Sequence, residues 1–513
     1  MCKHTVMFHT LYTQVFSLLR SRHFFFVAVG LLIVQSAWIA LTARYPQAFD
    51  ENYHLGLIQL HAKQLLPFFT SQPPNADIYG AIVRDPSYLF HYLLSFPYQL
   101  IVALTDNLTV QIIILRFINI AVFVWGLFAY RALFNALGVS TALRNAVLLF
   151  FVLTPVVPLL AAQINYDNLM FTLTGFMFLY AVRYIQALER SKSDRQAVPL
   201  MLVMQVVFVA AVGSLVKFPF APLAAAVMVI LAYLTWKHYR RSEIGFRGSW
   251  KFPSKPILII FTALISIVVL LCIERYGVNL VRYHAPVPKC DQVLSVEQCL
   301  SYSPWARDHM FAATYPSPSA QGIAVYPVVW FHRMVYETMF TITSYYYVPT
   351  GTVTYKPYPP LTIANYTAWT AVTAGVIAAL FYIRKLWNYN SSAALRVLLL
   401  AISFYSLVLF VQNFAMYLHS GEAVAIHGRY FVPFFPVIYV ALALAISWLL
   451  TRQGLERIKP LILTAAIVLL LQGGGITNWI IKSDSAWYWQ HNQTAEQANW
   501  YAKNVLNKVI VRW

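Results

Sequence analysis

Charged residues are scarce in this chain. Of its 513 residues only 11% are Asp, Glu, Lys or Arg, whereas 59% are hydrophobic and 16% are aromatic. A soluble domain carries about 25% charged residues, so this sequence has too few charges to cover a surface that faces water. The mean hydropathy of +0.60 also indicates a predominantly apolar chain. The composition predicts a polytopic membrane protein and excludes disordered, collagen-like and disulfide-scaffold proteins.

Long apolar runs follow one another along the chain, and each is long enough for a helix that crosses a bilayer, which needs about 20 residues. They predict an all-α bundle of about eleven transmembrane helices. The runs are residues 24–43, 108–130, 145–161, 167–186, 198–216, 218–236, 256–273, 363–383, 397–415, 430–449 and 460–480.

Acidic residues are rarer still, 18 against 37 basic residues, which gives a net charge of +19. Most of the basic residues fall in the N-terminal segment 1–23 and in short connections between alternate runs. The positive-inside rule places these segments in the cytoplasm, so membrane topology accounts for the charge without nucleic acid. The longer connections, 44–107 and 274–362, and the aromatic tail 481–513 then lie outside the cytoplasm, around a bundle of residues 24–480.

Only four cysteines are present, and two of them, Cys290 and Cys299, are close together in an outer segment. An oxidising compartment predicts a disulfide between them that fixes the loop. Residues 88–104 and 328–348 are apolar but contain polar side chains, and counting them as crossings would reverse the sidedness. We interpret both as helices lying in the outer interface.

Adjacent carboxylates, Asp50 and Glu51, follow the first apolar run and form a candidate catalytic site. The structural alternative is that they cap a helix over 51–66, because Asp is a favoured N-cap and Glu is favourable in a first turn. Arg116, about two turns inside the second run, is costly in lipid and is interpreted as one partner of a structural ion pair.

Three more groups fall at the same predicted level of the membrane. Asp167 opens the fourth run in the segment 165–168, where helix capping is the alternative role. Lys217 lies between the fifth and sixth runs, where snorkelling to the headgroups is the alternative. Arg429 begins the tenth run beside Gly428, and its guanidinium could hold a phosphate.

Signatures of several other enzyme classes are missing. The glycine cluster 473–475 lies in an apolar run without the strand-to-helix context of a phosphate loop, and it is interpreted as helix packing. No nucleophile elbow is present. The sequence predicts no metal site. His419, Glu422 and His427 form a short cluster that is only a weak candidate for metal binding. Mg²⁺ or Mn²⁺ at Asp50 and Glu51 stays open, but the proposed chemistry does not require it.

Two segments carry a family resemblance. The segment 49–54 resembles the GT-C membrane glycosyltransferases, the superfamily of protein O-mannosyltransferases and aminoarabinose transferases, in which an Asp-Glu pair follows the first helix. The segment 85–92 resembles their His-Pro-Pro-Leu-Tyr-Tyr segment, with the usual His-Pro-Pro replaced by Arg84-Asp85-Pro86.

A closer resemblance is to a bacterial membrane family of unknown function related to that fold. Its pattern matches an Asp-Glu-x-x-His segment, an Asp at the start of a middle helix, a Lys turn and a Gly-Arg-Tyr-Phe-x-Pro segment. The corresponding residues here are Asp50, Glu51, His54, Asp167, Lys217, Gly428, Arg429, Tyr430 and Pro433.

The resemblance implies an inverting glycosyltransferase of the bacterial inner membrane. It would transfer a sugar from a polyprenyl-phosphate donor to an acceptor outside the cytoplasm, a cell-envelope glycan, lipid or protein. Asp50 would be the general base, with Glu51 as its helper or as an acceptor ligand. Lys217 and Arg429 would hold the donor phosphate, and the predicted substrate contacts are His54, Asp167, Tyr430 and Arg333.

Two other functions remain open from the sequence. A transporter or flippase for lipid-linked glycans would use the same charges along a translocation path, and it predicts polar groups through the depth of the bundle. A ligase that transfers a whole glycan from a lipid diphosphate would not need Asp50. The concentration of unusual groups on one predicted face favours the glycosyltransferase.

Overall fold

Helices make up nearly all of the regular structure in the computed structural model, which confirms the all-α class. The structure describes residues 17–47, 50–194, 197–240, 250–315, 317–339, 346–347, 353–354, 363–455, 459, 474–483, 487–489 and 493–509.

The helices of the first half of the chain include the predicted helix that begins directly after Asp50. In order they are α1 Phe24–Thr42, α2 Glu51–His61, α3 Leu89–Leu104, α4 Leu108–Ala136, α5 Thr141–Val152, α6 Val156–Ala161, α7 Tyr166–Asp194, α8 Leu200–Val216, α9 Phe220–Arg240 and α10 Lys255–Cys272.

The second half begins with five short or medium helices, which belong to the predicted outer segment 274–362. The helices are α11 Val278–Tyr283, α12 Cys290–Val293, α13 Val296–Leu300, α14 Ser303–Thr314, α15 Ala320–Met339, α16 Ile363–Phe381, α17 Ile383–Trp387, α18 Ala394–Ser420, α19 Phe435–Arg452, α20 Gly475–Lys482 and α21 Gln493–Val509.

The described strands have two residues each. β1 Val198–Pro199 pairs in parallel with β2 Trp250–Lys251, and β3 Tyr346–Tyr347 pairs antiparallel with β4 Val353–Thr354. These pairs join connecting segments and add no layer to the helical bundle.

Seven of the described helices are long and apolar enough to cross a membrane, and the chain is an integral membrane protein. One predicted crossing differs, because residues 145–161 break into α5 and α6 at Pro155. α8 and α16 follow the predicted runs 198–216 and 363–383 but are not among the seven, since α8 has 17 residues and the described apolar part of α16 is Thr370–Phe381. Most of the last crossing, 460–473, lies outside the described residues. The number eleven therefore stays a prediction.

The centre of the bundle is the contact between α4 and α7. Gly126 of α4 faces Phe171 of α7 so closely that a Cβ on the glycine would lie 2.5 Å from the ring. Phe123 stacks on the same ring with centroids 4.2 Å apart. The absence of a side chain at Gly126 therefore lets the two helices approach, and together they connect both ends of the bundle.

Two features of the outer segments agree with prediction. Leu89–Leu104 is helical, as expected for 88–104, although its depth in a membrane stays a prediction. Cys290 and Cys299 form the predicted disulfide. Gln298, between the two cysteines in sequence, donates a hydrogen bond to Asp77 Oδ2 at 3.3 Å. The disulfide-bonded loop is thereby attached to the segment that precedes α3.

Candidate active site

Glu51 and Arg116 form a buried ion pair, named here the closed pair. Arg116 Nε and Nη2 donate to the two Glu51 carboxylate oxygens at 2.8 and 2.7 Å, and neither side chain is exposed. The backbone N–H groups of Gln47 and Ile164 donate to the same carboxylate. The structural ion pair predicted for Arg116 is confirmed, and the Glu51 carboxylate is surrounded by donors.

Backbone and tail close the remaining faces of this pair. Arg116 Nη1 donates to the carbonyl oxygens of Ala40 and Ala43 at 3.1 and 2.6 Å. The indole ring of Trp489 lies 5.4 Å from the guanidinium carbon. Trp489 is held there because its backbone N–H donates to the Thr42 carbonyl at the end of α1. The closed pair thus connects the end of α1 and the start of α2 to α4.

Asp50 points in a different direction from its neighbour. It occupies the N-cap position of α2 with φ 69°, in the left-handed region, and its side chain makes no cap hydrogen bond. The capping role considered for Asp50 is therefore wrong. Its carboxylate is 63% exposed and accepts a hydrogen bond from Arg429 Nη2 at 2.9 Å. A left-handed non-glycine residue costs about 1–3 kcal/mol, and such strain is concentrated at functional sites.

Asp167 and Lys217 form a second ion pair beside Asp50, and both side chains are almost fully buried. The capping role in this segment belongs to Asn165, whose side chain accepts from the Asp167 N–H at 2.9 Å. The Asp167 carboxylate is thereby left for Lys217. Lys217 ends α8, and its ammonium lies 4.4 and 4.6 Å from the ring centroids of Tyr166 and Tyr430. It is therefore enclosed by protein and does not snorkel.

Arg429 connects these groups. It lies in the 3₁₀ turn Gly428–Phe431, where its backbone N–H donates to His427 Nδ1 at 3.0 Å. Its side chain binds Asp50, and its Nε lies 3.9 Å from Asp167 Oδ2. Asp50, Asp167, Lys217, Arg429 and Tyr430 are named here the open cluster. They come from four helical elements, the start of α2, the start of α7, the end of α8 and the turn Gly428–Phe431, which the charge pattern predicts on one side of the membrane.

Electrostatics keep the exposed member of the open cluster ionised. Partial loss of water raises the pKa of the Asp50 carboxyl, but the charge and hydrogen bond of Arg429, with the charge of Lys217, outweigh this and hold it below its usual value. Burial and Arg429 lower the pKa of His427 to about 3. His427 is therefore neutral at pH 7 and can accept the Arg429 N–H.

The two other predicted contact residues, His54 and Arg333, have their described contacts with residues outside the open cluster. His54 is buried, its Nδ1 lies 2.9 Å from His91 Nε2, and its ring packs edge-on against Tyr166. Burial lowers the pKa of both histidines. Arg333 of α15 donates to the Ala423 carbonyl at 2.5 Å, so it supports the segment that leads into the Arg429 turn.

Two residues at the site and a tyrosine near it have positions that the sequence did not reveal. Tyr166 supplies a ring face to Lys217, and His427 orients the Arg429 backbone. Tyr302 enters from the disulfide-bonded loop and packs against Gly80. Burial raises the pKa of Tyr302, and the Asp85 and Asp50 carboxylates raise it further. A tyrosine three residues after a loop cysteine carries no sequence signal for this position.

No group of three or more His, Cys, Asp or Glu residues is placed to hold a metal ion within the part of the chain that the structure describes. The two adjacent carboxylates diverge, since Glu51 faces Arg116 whereas Asp50 faces Arg429. What the open cluster offers is an exposed carboxylate beside two buried cations. Such a set can accept a proton and stabilise an anion next to it.

No protein-family model and no curated protein sequence matches the chain. Two solved membrane proteins are similar in structure. ArnT from Cupriavidus metallidurans, bound to undecaprenyl phosphate, has a TM-score of 0.39 and 15% identity, covering 94% of this chain and 69% of ArnT. AglB, an archaeal oligosaccharyltransferase from Archaeoglobus fulgidus in complex with an inhibitory peptide and a dolichol phosphate, has a TM-score of 0.36 and 11% identity, covering 90% of this chain and 56% of AglB.

Both TM-scores lie below 0.5, so neither likeness carries an argument about the function of this chain. What the chain does therefore rests on its own residues, above all on the open cluster.

Proposed function

We propose that the chain is a membrane glycosyltransferase that moves a sugar from a polyprenyl-phosphate donor to a hydroxyl of a cell-envelope acceptor. The observation that carries the proposal is the 2.9 Å contact between the exposed Asp50 carboxylate and Arg429, beside the buried pair of Lys217 and Asp167. A proton acceptor and two cations are thus collected where helix ends meet the membrane boundary.

The reaction needs both kinds of group. Asp50 takes the proton from the acceptor hydroxyl while the acceptor oxygen attacks the anomeric carbon of the sugar. The bond between that carbon and the phosphate oxygen breaks, and its electron pair leaves with the polyprenyl phosphate. A single displacement of this kind inverts the anomeric centre. No step in this scheme is assigned to a metal ion.

Arg429 and Lys217 stabilise the leaving phosphate as its charge develops. Arg429 is suited to this role because its planar guanidinium can hold two phosphate oxygens at once. When Arg429 turns from Asp50 to a phosphate, the interaction that lowers the pKa of Asp50 weakens. Donor binding would thereby make Asp50 a stronger base, which couples proton removal to the presence of the donor.

The fold supports a lipid-linked donor. Asp167 lies at the start of the apolar helix α7 and Arg429 in the turn before the apolar helix α19, where a donor held in the bilayer would present its headgroup. No nucleotide-binding loop is needed for such a donor. The charge pattern further supports a site outside the cytoplasm and a cytoplasmic N-terminus. The motif resemblance supports a bacterial inner membrane. The acceptor would be an envelope glycan, lipid or protein.

The test is transfer of radiolabel by the purified chain in lipid nanodiscs, from a panel of polyprenyl-phosphate sugars to cell-envelope extracts. We expect one donor to give labelled product with the wild type. Asp50→Asn should bind that donor at least as tightly as the wild type, because Arg429 no longer pairs with a carboxylate. It should transfer the sugar about 10²- to 10⁴-fold more slowly, since it lacks the proton acceptor.

Two results would contradict the proposal. Equal transfer by the wild type and Asp50→Asn would remove Asp50 as the base. Movement of the intact lipid-linked sugar across the membrane of a proteoliposome without transfer would identify a flippase instead.

A further inference from the structure

A cavity of about 840 Å³ lies at the end of the bundle opposite the open cluster, between α4, α7 and the start of α8. Arg183 and Arg190 of α7 line it. Asp167 and Arg183 are 16 residues apart in one helix, which corresponds to about 24 Å at 1.5 Å per residue. The hydrocarbon core of a bilayer is about 30 Å thick, so the two sites lie near opposite membrane surfaces.

Three cations line this cavity: Arg183, Arg190 and Lys251. Lys251 reaches it because β2 pairs with β1, which sets Lys251 opposite Pro199 at the start of α8. None of the described lining residues is acidic. The nearby Glu189 is engaged elsewhere, since its carboxylate accepts hydrogen bonds from the Ser392 side chain and the Ala393 N–H. The cavity is therefore suited to an anion.

An aromatic strip continues from the cavity toward the middle of the membrane. Phe176, Tyr180 and Arg183 are spaced four and three residues apart on α7, so they share one helix face. The Phe176 and Tyr180 rings stack with centroids 6.0 Å apart, and the 58% exposed Trp125 of α4 packs edge-on against Phe176 at 5.1 Å. An apolar chain can lie along this strip.

We propose that this cavity binds the phosphate headgroup of an anionic phospholipid, whose acyl chain lies along Trp125, Phe176 and Tyr180. The three cations pair with the negative charge of the phosphate. The aromatic strip contacts an acyl chain, which a free phosphate lacks. The lipid belongs to the leaflet opposite the open cluster. This site is independent of the proposed sugar transfer.

The test is retention of phosphatidylglycerol by the full chain, measured by native mass spectrometry of protein released from micelles, with phosphatidylcholine as the neutral comparison. We expect the wild type to retain one more phosphatidylglycerol than the triple variant Arg183→Gln/Arg190→Gln/Lys251→Gln. Each cation near a membrane surface increases the affinity for anionic lipid about fivefold, so the triple variant should bind phosphatidylglycerol about 100-fold more weakly.

The matched control is Arg384→Gln/Lys385→Gln/Arg396→Gln. It also removes three positive charges, but from residues that do not line the cavity, and it should retain the lipid. Melting temperatures verify folding. If the triple variant does not fold, Lys251→Gln alone should weaken retention about fivefold. Trp125→Ala should also weaken it.

Three outcomes would overturn the proposal. The two triple variants could retain phosphatidylglycerol equally. Phosphatidylcholine could be retained as well as phosphatidylglycerol by the wild type and lost in the cavity variant. Inorganic phosphate at millimolar concentration could displace the lipid, which would identify a free-phosphate site.

Discussion

Asp50 and Glu51 are neighbours in the chain, yet the structure gives them opposite surroundings. Glu51 is fully buried and receives hydrogen bonds from Arg116 and from two backbone N–H groups. Asp50 is largely exposed and has a single described ion-pair partner, Arg429. The closed pair therefore holds helix ends together, whereas the open cluster leaves a carboxylate within reach of a ligand.

The difference follows from how desolvation acts on charges. A buried ion pair tolerates the loss of either partner poorly, because the remaining charge has neither water nor a counter-ion. An exposed carboxylate keeps part of its hydration and can change partners at low cost. We expect substitutions in the closed pair to affect mainly folding, and substitutions in the open cluster to affect mainly donor binding and transfer.

The largest effect on stability is expected for Arg116→Met. It leaves the Glu51 carboxylate buried without its counter-ion, which should destabilise the fold by about 3–5 kcal/mol. The measurement is the unfolding midpoint in micelles. The matched control is the double variant Arg116→Met/Glu51→Gln, which removes both charges and should recover part of the loss. An unchanged midpoint in the single variant would contradict the structural role of the closed pair.

Arg429→Gln should weaken binding of the polyprenyl-phosphate donor about 10- to 100-fold, because a charge-assisted hydrogen bond contributes about 1.5–3 kcal/mol. Arg429→Lys keeps the charge but loses the guanidinium fork, so it should bind with intermediate affinity. Both Arg429 variants should lose less stability than Arg116→Met. Wild-type donor affinity in Arg429→Gln would exclude Arg429 as a phosphate ligand.

The pH profile of kcat/KM tests the electrostatic link between Arg429 and Asp50. A general base acts when deprotonated, so transfer is lost as pH falls through the pKa of Asp50 in the free enzyme. Arg429 lowers that pKa, and partial loss of water raises it. Arg429→Gln should therefore move the acidic limb to higher pH. A limb that stays in place, or moves to lower pH, would disprove this link.

The smallest effect is expected for Tyr430→Leu. It removes one of the two ring faces that contact the Lys217 ammonium. A cation–π contact of this kind contributes about 0.5–2 kcal/mol, so donor affinity should fall modestly. Tyr430→Phe keeps the ring and serves as the control, with wild-type affinity expected. Equal losses in both variants would indicate that the hydroxyl matters and the ring face does not.

Much of the fold could be predicted from apolar periodicity and the distribution of charge. The break between α5 and α6 could not be placed by hydropathy alone, because residues 145–161 are apolar on both sides of Pro155. A proline ends a helix by removing an N–H donor and by steric conflict with the preceding turn. The Cys290–Cys299 disulfide was predictable because the two residues are close in sequence.

The sequence predicted which residues belong to the open cluster better than it predicted their contacts. Motif order pointed to Asp50, Asp167, Lys217, Arg429 and Tyr430, which the structure brings together. The separate positions of Asp50 and Glu51 depend on a left-handed backbone at Asp50 and on Arg116, 65 residues after Glu51. Such long-range contacts leave no local pattern, and the same holds for the approach of Tyr302 to the site.

The most direct test of the central claim compares Asp50→Asn with Glu51→Gln, each measured for its unfolding midpoint and for its rate of sugar transfer from the donor. We predict that Asp50→Asn keeps the wild-type midpoint and loses transfer about 10²- to 10⁴-fold, whereas Glu51→Gln unfolds at clearly milder conditions. Wild-type transfer by Asp50→Asn, or a wild-type midpoint for Glu51→Gln with transfer abolished, would contradict the division between the open cluster and the closed pair.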